Sequence, residues 1–197
     1  MKTNNPTEIS SKNKKEEDRE LFQRIAEGHY TALEELFSKY YDALCRFGLS
    51  YEQNIAIVEE KISDVFILIW NKRSELKNIE KPKSYIYVIA KNSLKKKRKF
   101  HHLHQSIDEG TGQIIPFSPS IEENLIDQEE REITSHLIRS ILNSIPEKSR
   151  RIFELSRIDG FKYNEISELV NLSPRTVENH IALAMKYISK GIKQHTN

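Results

Sequence analysis

Residues 161–181 read FKYNEISELVNLSPRTVENHI, and this stretch decides how the chain folds. Ile166, Leu169 and Val170 fall on one side of a short helix beginning near Tyr163. Asn171 then sits where a residue tolerant of the left-handed backbone region is wanted. Ser173 can cap a second helix, and Pro174 suits its first position, where no intrahelical donor is required. Along that second helix Val177, Ile181, Ala184, Ile188 and Ile192 recur at helical spacing and predict a buried stripe. Arg175, Asn179 and Lys186 point the other way, flanked by Thr176 and Leu183. Two helices joined by a tight turn, the second polar on its free side, form a helix-turn-helix. Arg and Asn can make paired hydrogen bonds to guanine and adenine edges, and Lys can meet phosphate. Major-groove DNA is the ligand this pattern fits.

Working outward, helical periodicity dominates from about Glu16 and no segment alternates with period two for long. Residues 1–15 are polar and lysine-rich and are expected to be disordered. Leu21, Phe22 and Ile25 open the first apolar pattern. After a break at Gly28 it continues through Leu33, Leu36, Phe37, Tyr40, Tyr41, Leu44 and Phe47. A helix over roughly Gln53 to Lys72 places Ile55, Val58, Ile62, Val65, Phe66 and Ile69 inward. Its far side carries Ile57, Glu60, Asp64, Ile67, Leu68 and Asn71. Aliphatic groups mixed with carboxylates on an outer face leave apolar area wet, so a partner helix bearing Arg or Lys, or a neighbouring helix of the same domain, is expected to cover them.

Pro82 opens a fourth helix, with Ile86, Ile89, Ala90 and Ser93 expected inside. Its other face lines up Tyr85, Val88, Asn92, Lys95, Lys96 and Lys99. Rings that stack on bases, amides that hydrogen-bond and lysines that follow phosphates together suit a single strand. Residues 101–120 hold glycine and proline without a sustained period and read as a flexible linker. Helices resume near Ile121, break at Pro146 and end in the helix-turn-helix. The expected fold is all-α, with two helical domains at 16–100 and 121–197.

Composition narrows the function classes. The net charge of +2 over 197 residues conceals a basic run at Lys91, Lys95, Lys96, Lys97, Arg98 and Lys99, followed by an acidic stretch from Asp108 to Glu132. The single cysteine, Cys45, excludes an intrachain disulfide and fits a reducing, cytoplasmic setting. No apolar run reaches membrane-spanning length, so no direct membrane insertion is expected. His101, His102 and His104 invite a metal, yet no carboxylate or cysteine stands at ligand spacing. No nucleophile–base pair or phosphate-cradling glycine loop occurs, so neither catalysis nor a cofactor is expected. A response-regulator-type activator would share Ser173-x-x-Thr176-Val177-x-x-His180, but it needs an α/β receiver domain and no strands are evident in the first 100 residues. A helical adaptor whose basic run binds RNA or a membrane surface is the other alternative.

In order, these pieces resemble the extracytoplasmic-function sigma factors of bacterial RNA polymerase, from about Phe22 to Ile192. The acidic helix ending in Trp looks like Val58 to Trp70. The following helix looks like Tyr85-Ile86-Tyr87-Val88-Ile89-Ala90-Lys91-Asn92 with its lysines, and the second domain opens as Ile145-Pro146-Glu147-Lys148-Ser149-Arg150-Arg151-Ile152-Phe153. The resemblance implies a region 2 bundle and a region 4 helix-turn-helix. It implies that Glu60, Asp64 and Leu68 meet the clamp helices of the β′ subunit, with the β flap as a further contact. It implies that Tyr85, Asn92, Lys95, Lys96 and Lys99 take the melted −10 strand, the loop around Lys77 to Lys83 holding an extruded base. Arg175, Thr176, Asn179, His180 and Lys186 would read the −35 duplex. Thr176-Val177-Glu178-Asn179-His180-Ile181 looks closer to the iron-citrate-type branch, and that resemblance implies a membrane-associated anti-sigma partner. The chain departs from the usual pattern at Lys61, Ser63, Lys162, Asn171, His180 and Leu183.

Overall fold

The computed structural model describes residues 6–96 and 136–195, all helix, turn and connecting loop with no strand among them. Two compact units divide the chain, Met1–Ile114 and Ile115–Asn197. The linker expected at 101–120, the helix expected near Ile121, Lys99 and the three clustered histidines all lie outside the described residues.

The first unit is built from α1 (Pro6–Ala26), α2 (Tyr30–Leu49), α3 (Ile55–Asn71), a 3-10 helix (Arg73–Asn78) and α4 (Pro82–Lys95). Helix α1 begins at Pro6, where proline loses no hydrogen bond and already holds a helical φ. Gly28, at φ 92°, turns the chain between α1 and α2, and the Gly28 and His29 amides close onto the carbonyls of Ile25 and Arg24. Asn54 caps α3, its side-chain oxygen accepting from the amides of Ala56 and Ile57 at 3.0 and 3.3 Å.

Phe22, Ile25, Leu36, Leu44, Ile62, Ile69, Leu76 and Ile86 form the heart of this unit, with α3 packed on α2 and α4 and α1 packed on α2 and the 3-10 helix. Each such side chain contributes about 1.5–3 kcal/mol of burial. Gly48 lets α2 approach α3, since a Cβ there would lie 2.5 Å from Val58 Cγ1. Buried Asp18 accepts from the Tyr40 hydroxyl through one carboxylate oxygen and pairs with the Lys39 charge at 2.9 Å through the other, tying α1 to α2.

The inner stripe of α3 matches expectation at Val58, Ile62, Val65, Phe66 and Ile69, with Ile55 only half-buried. The inner face of α4 is corrected. Pro82, Ile86, Tyr87, Ala90 and Leu94 are buried, whereas Ile89 and Ser93 are half-buried. The helix is rotated from the expected phase because the large Tyr87 ring packs against Phe47, 5.2 Å between centroids.

The second unit holds α5 (described over 136–144), α6 (Glu147–Arg157), α7 (Tyr163–Val170) and α8 (Pro174–His195). Ile141, Ile145, Ile152, Leu155, Phe161, Ile166 and Leu169 pack with Val177, Ile181 and Ala184 of α8. The expected α8 stripe ends there. Ile188 is half-buried and Ile192 is 53% exposed, whereas the neighbouring Gly191 meets α5, where a Cβ would lie 2.6 Å from Ile141 Cγ1.

Candidate nucleic-acid interfaces

In the second unit, local chemistry sets the recognition helix. The Glu165 carboxylate accepts the Lys162 amide at 2.8 Å, starting α7. Asn171 adopts φ 58° and ψ 54°, the left-handed turn its position calls for. Ser173 Oγ then accepts the Thr176 amide at 3.1 Å and lies 2.8 Å from Thr176 Oγ1, capping α8. With Val177, Ile181 and Ala184 buried, Arg175, Asn179 and Lys186 are left exposed together. The Arg175 guanidinium is 82% exposed and rests 3.3 Å from Glu178, a solvated pair of about 0–1 kcal/mol that a phosphate or base edge can replace.

Two of the expected α8 contacts sit differently. The Thr176 hydroxyl is engaged in the cap. His180 is off the outer face: its ring is half-buried and its Nδ1 lies 2.9 Å from Ser149 Oγ on α6. Burial, and then the nearby Lys148 charge, hold its pKa below the ordinary histidine value, so the ring is neutral near pH 7.

In the first unit, Asn92, Lys95 and Lys96 are exposed toward the end of α4. Tyr85 is half-buried and set edge-on against Phe22, 6.0 Å between centroids, so only part of its ring is open to stack. Burial, together with Lys95, lowers the Lys91 pKa. The C-terminal end of α4 is closed from another helix: Lys61 Nζ donates to the Leu94 carbonyl at 3.0 Å and the Lys96 carbonyl at 3.1 Å. That ammonium also offsets the partial negative charge of a helix C-terminus, which would otherwise repel an approaching phosphate.

On α3, Glu60, Asp64 and Leu68 are exposed on one face, with Ile67 59% and Leu68 38% accessible, while Ile57 is half-buried. Trp70 at the end of this helix holds Tyr30 edge-on at 5.5 Å and carries the Arg73 guanidinium 5.0 Å from its ring centroid. Lys77 and Asn78 of the 3-10 helix, with Arg19 and Gln23 of α1, line an open cleft of about 900 Å³.

Residues 135–188 match the family described as Sigma-70, region 4. The second unit carries a sigma-70 region 4 domain. Its match spans the helix-turn-helix and the α5–α6 segment against which α8 packs. Beyond the region 4 domain, the chain is similar to the RNA polymerase sigma factor NccH of Alcaligenes xylosoxydans xylosoxydans, 23% identical over 175 residues that cover 85% of this chain and 90% of that one. Its fold is similar to that of CnrH, solved in complex with the cytosolic domain of CnrY, with a TM-score of 0.53, 18% identity and coverage of 90% of this chain and 98% of that one. This last likeness speaks for the fold alone.

Sequence reasoning noted Lys61 only as a departure from the usual pattern and gave Ser149 no role of its own. A lysine beside the buried Ile62 was a usable signal, because a cation at a helix–helix seam needs carbonyl or carboxylate partners. Ser149 offered none: one serine in a charged helix is silent until its neighbour across the fold is known.

Proposed function

We propose that this chain is a sigma factor of the extracytoplasmic-function type, which binds core RNA polymerase and directs it to promoters. The reading rests most on one observation: within a region 4 domain, a locally capped helix presents Arg175, Asn179 and Lys186 together to solvent. In this reading α8 enters the major groove of the −35 element with Arg175, Asn179 and Lys186 on bases and backbone, and with Thr176 holding the helix start. The end of α4, with Asn92, Lys95, Lys96 and the open part of Tyr85, follows the melted −10 strand, and the resemblance adds Lys99 to that contact set. Three or four phosphate contacts there would give a slope of log affinity against log salt of about −2 to −3.

Glu60, Asp64 and Leu68 form the contact to the β′ clamp helices, since exposed carboxylates beside exposed aliphatic groups match a basic, amphipathic helix. The β flap meets region 4. Control by a membrane-associated anti-sigma partner, as in the iron-citrate-type branch, completes the proposal; CnrH, which is similar in fold, was solved in complex with the cytosolic domain of CnrY. The chemistry of RNA synthesis belongs to the polymerase.

Run-off transcription with purified core polymerase on genomic fragments tests the proposal. Discrete transcripts are expected only when this chain is added. An activator would instead shift its DNA without polymerase, and that result would replace the proposal. Glu60→Arg with Asp64→Arg should abolish capture of core polymerase while leaving helix content intact, and normal pull-down would remove α3 from the interface.

A further inference from the structure

We propose that Ser149 positions His180 as a neutral hydrogen-bond donor to the DNA backbone, its hydroxyl holding Nδ1 so that Nε2–H is turned to a phosphate beside the groove. The inference rests on the reading of α8 as the −35 helix. Ser149 is 1% exposed, and a hydroxyl buried to that degree needs a partner. Its amide closes the first turn of α6 onto the Pro146 carbonyl, and its Oγ lies 2.9 Å from His180 Nδ1. At ~100° per residue, His180 stands about 140° round α8 from Arg175 and about 40° from Ala184. That is the shoulder between the groove face and the core, where a duplex backbone runs past a recognition helix. A neutral imidazole that accepts at Nδ1 carries its proton on Nε2, the nitrogen on the far side of the ring. Burial and Lys148 favour that uncharged ring.

The test uses the full chain loaded on core polymerase and a duplex recovered by that wild-type complex from a random pool. His180→Ala should weaken binding about tenfold and Ser149→Ala about fivefold, the scale of one hydrogen bond. Ser149→Thr, which keeps the hydroxyl, and His180→Gln, whose amide can reach the Nε2 position, should stay within about twofold of wild type. Because Ser149 acts through His180, the double alanine variant should bind like His180→Ala alone. Ring ¹⁵N shifts should report the Nε2–H tautomer in wild type and a mixture in Ser149→Ala. Multiplying losses in the double variant, or an Nδ1–H tautomer in wild type, would overturn the inference. Arg175→Ala and Asn179→Ala separate the two levels. If they weaken binding while Ser149→Ala and His180→Ala do not, only the positioning role fails. If no duplex is recovered or they too have no effect, the DNA reading falls and the inference with it.

Discussion

The start of α8 and the end of α4 are built by opposite means. The α8 start is closed within six residues, by Ser173 on the Thr176 amide and by Asn171 in the left-handed region. The α4 end is closed across the fold, by Lys61 reaching the carbonyls of Leu94 and Lys96 from 33 and 35 residues away. Polarity explains the difference. A helix N-terminus already attracts anions and needs only short side chains for its amides, whereas a helix C-terminus repels anions and needs a cation brought to it. The nucleic-acid surface proposed at the end of α4 therefore depends on α3, while the one proposed at the start of α8 is nearly self-contained.

Breaking the long-range tie should cost most. Lys61→Met keeps the aliphatic stem but leaves two carbonyls without their ammonium, and is expected to destabilise the first unit by about 2 kcal/mol in urea unfolding. A variant as stable as wild type would show that water replaces Lys61 and that the α4 end needs no help from α3. Removing the local cap should cost less. Ser173→Ala is expected to lose about 1 kcal/mol, read as the unfolding midpoint of the second unit. A loss larger than that of Lys61→Met would reverse the contrast.

Smaller still is a gain at the start of α7. Lysine at 162 cannot accept from the helix amides, so only the Glu165 half of a capping box is made. Lys162→Ser supplies the acceptor and should stabilise by about 0.5 kcal/mol, detectable as a raised Tm. The least effect concerns pH. The His180 pKa is depressed by burial and Lys148, so the fold favours the neutral ring. Its stabilising contribution is present above the ordinary histidine pKa of about 6.5 and is lost as pH falls through the lower folded value. His180→Gln should give a shallower loss of stability between about pH 7 and 5 than wild type, and parallel curves would show that His180 is not the titrating group.

Legibility followed the same division. Turn, cap, first-position proline and exposed face of the helix-turn-helix were all readable, because each depends on residues within one or two turns. The inner stripe of α3 was readable too, at Val58, Ile62, Val65, Phe66 and Ile69. The phase of α4 was not, since Tyr87 looks amphipathic in sequence and its burial depends on Phe47 of another helix. Ile192 looked like core by spacing alone, but at that level of α8 it is Gly191 that faces Ile141 of α5, and spacing does not reveal which residue a neighbouring helix meets. Tyr85 and His180 were read as nucleic-acid contacts, but the setting of their rings by Phe22 and Ser149 was not visible in the sequence.

Sequence alone determined the all-α class, the helix starts at Pro82 and Pro174, the left-handed turn at Asn171 and the face bearing Arg175, Asn179 and Lys186. Those are consequences of backbone sterics, capping and a 3.6-residue period, which act over a few residues. Tertiary structure alone decided that Lys61 closes α4, that Tyr87 rather than Ile89 lies in the core, and that Ser149 holds His180. Each of those requires two distant segments to meet, and only the packing of one helix against another brings them within hydrogen-bond or van der Waals reach.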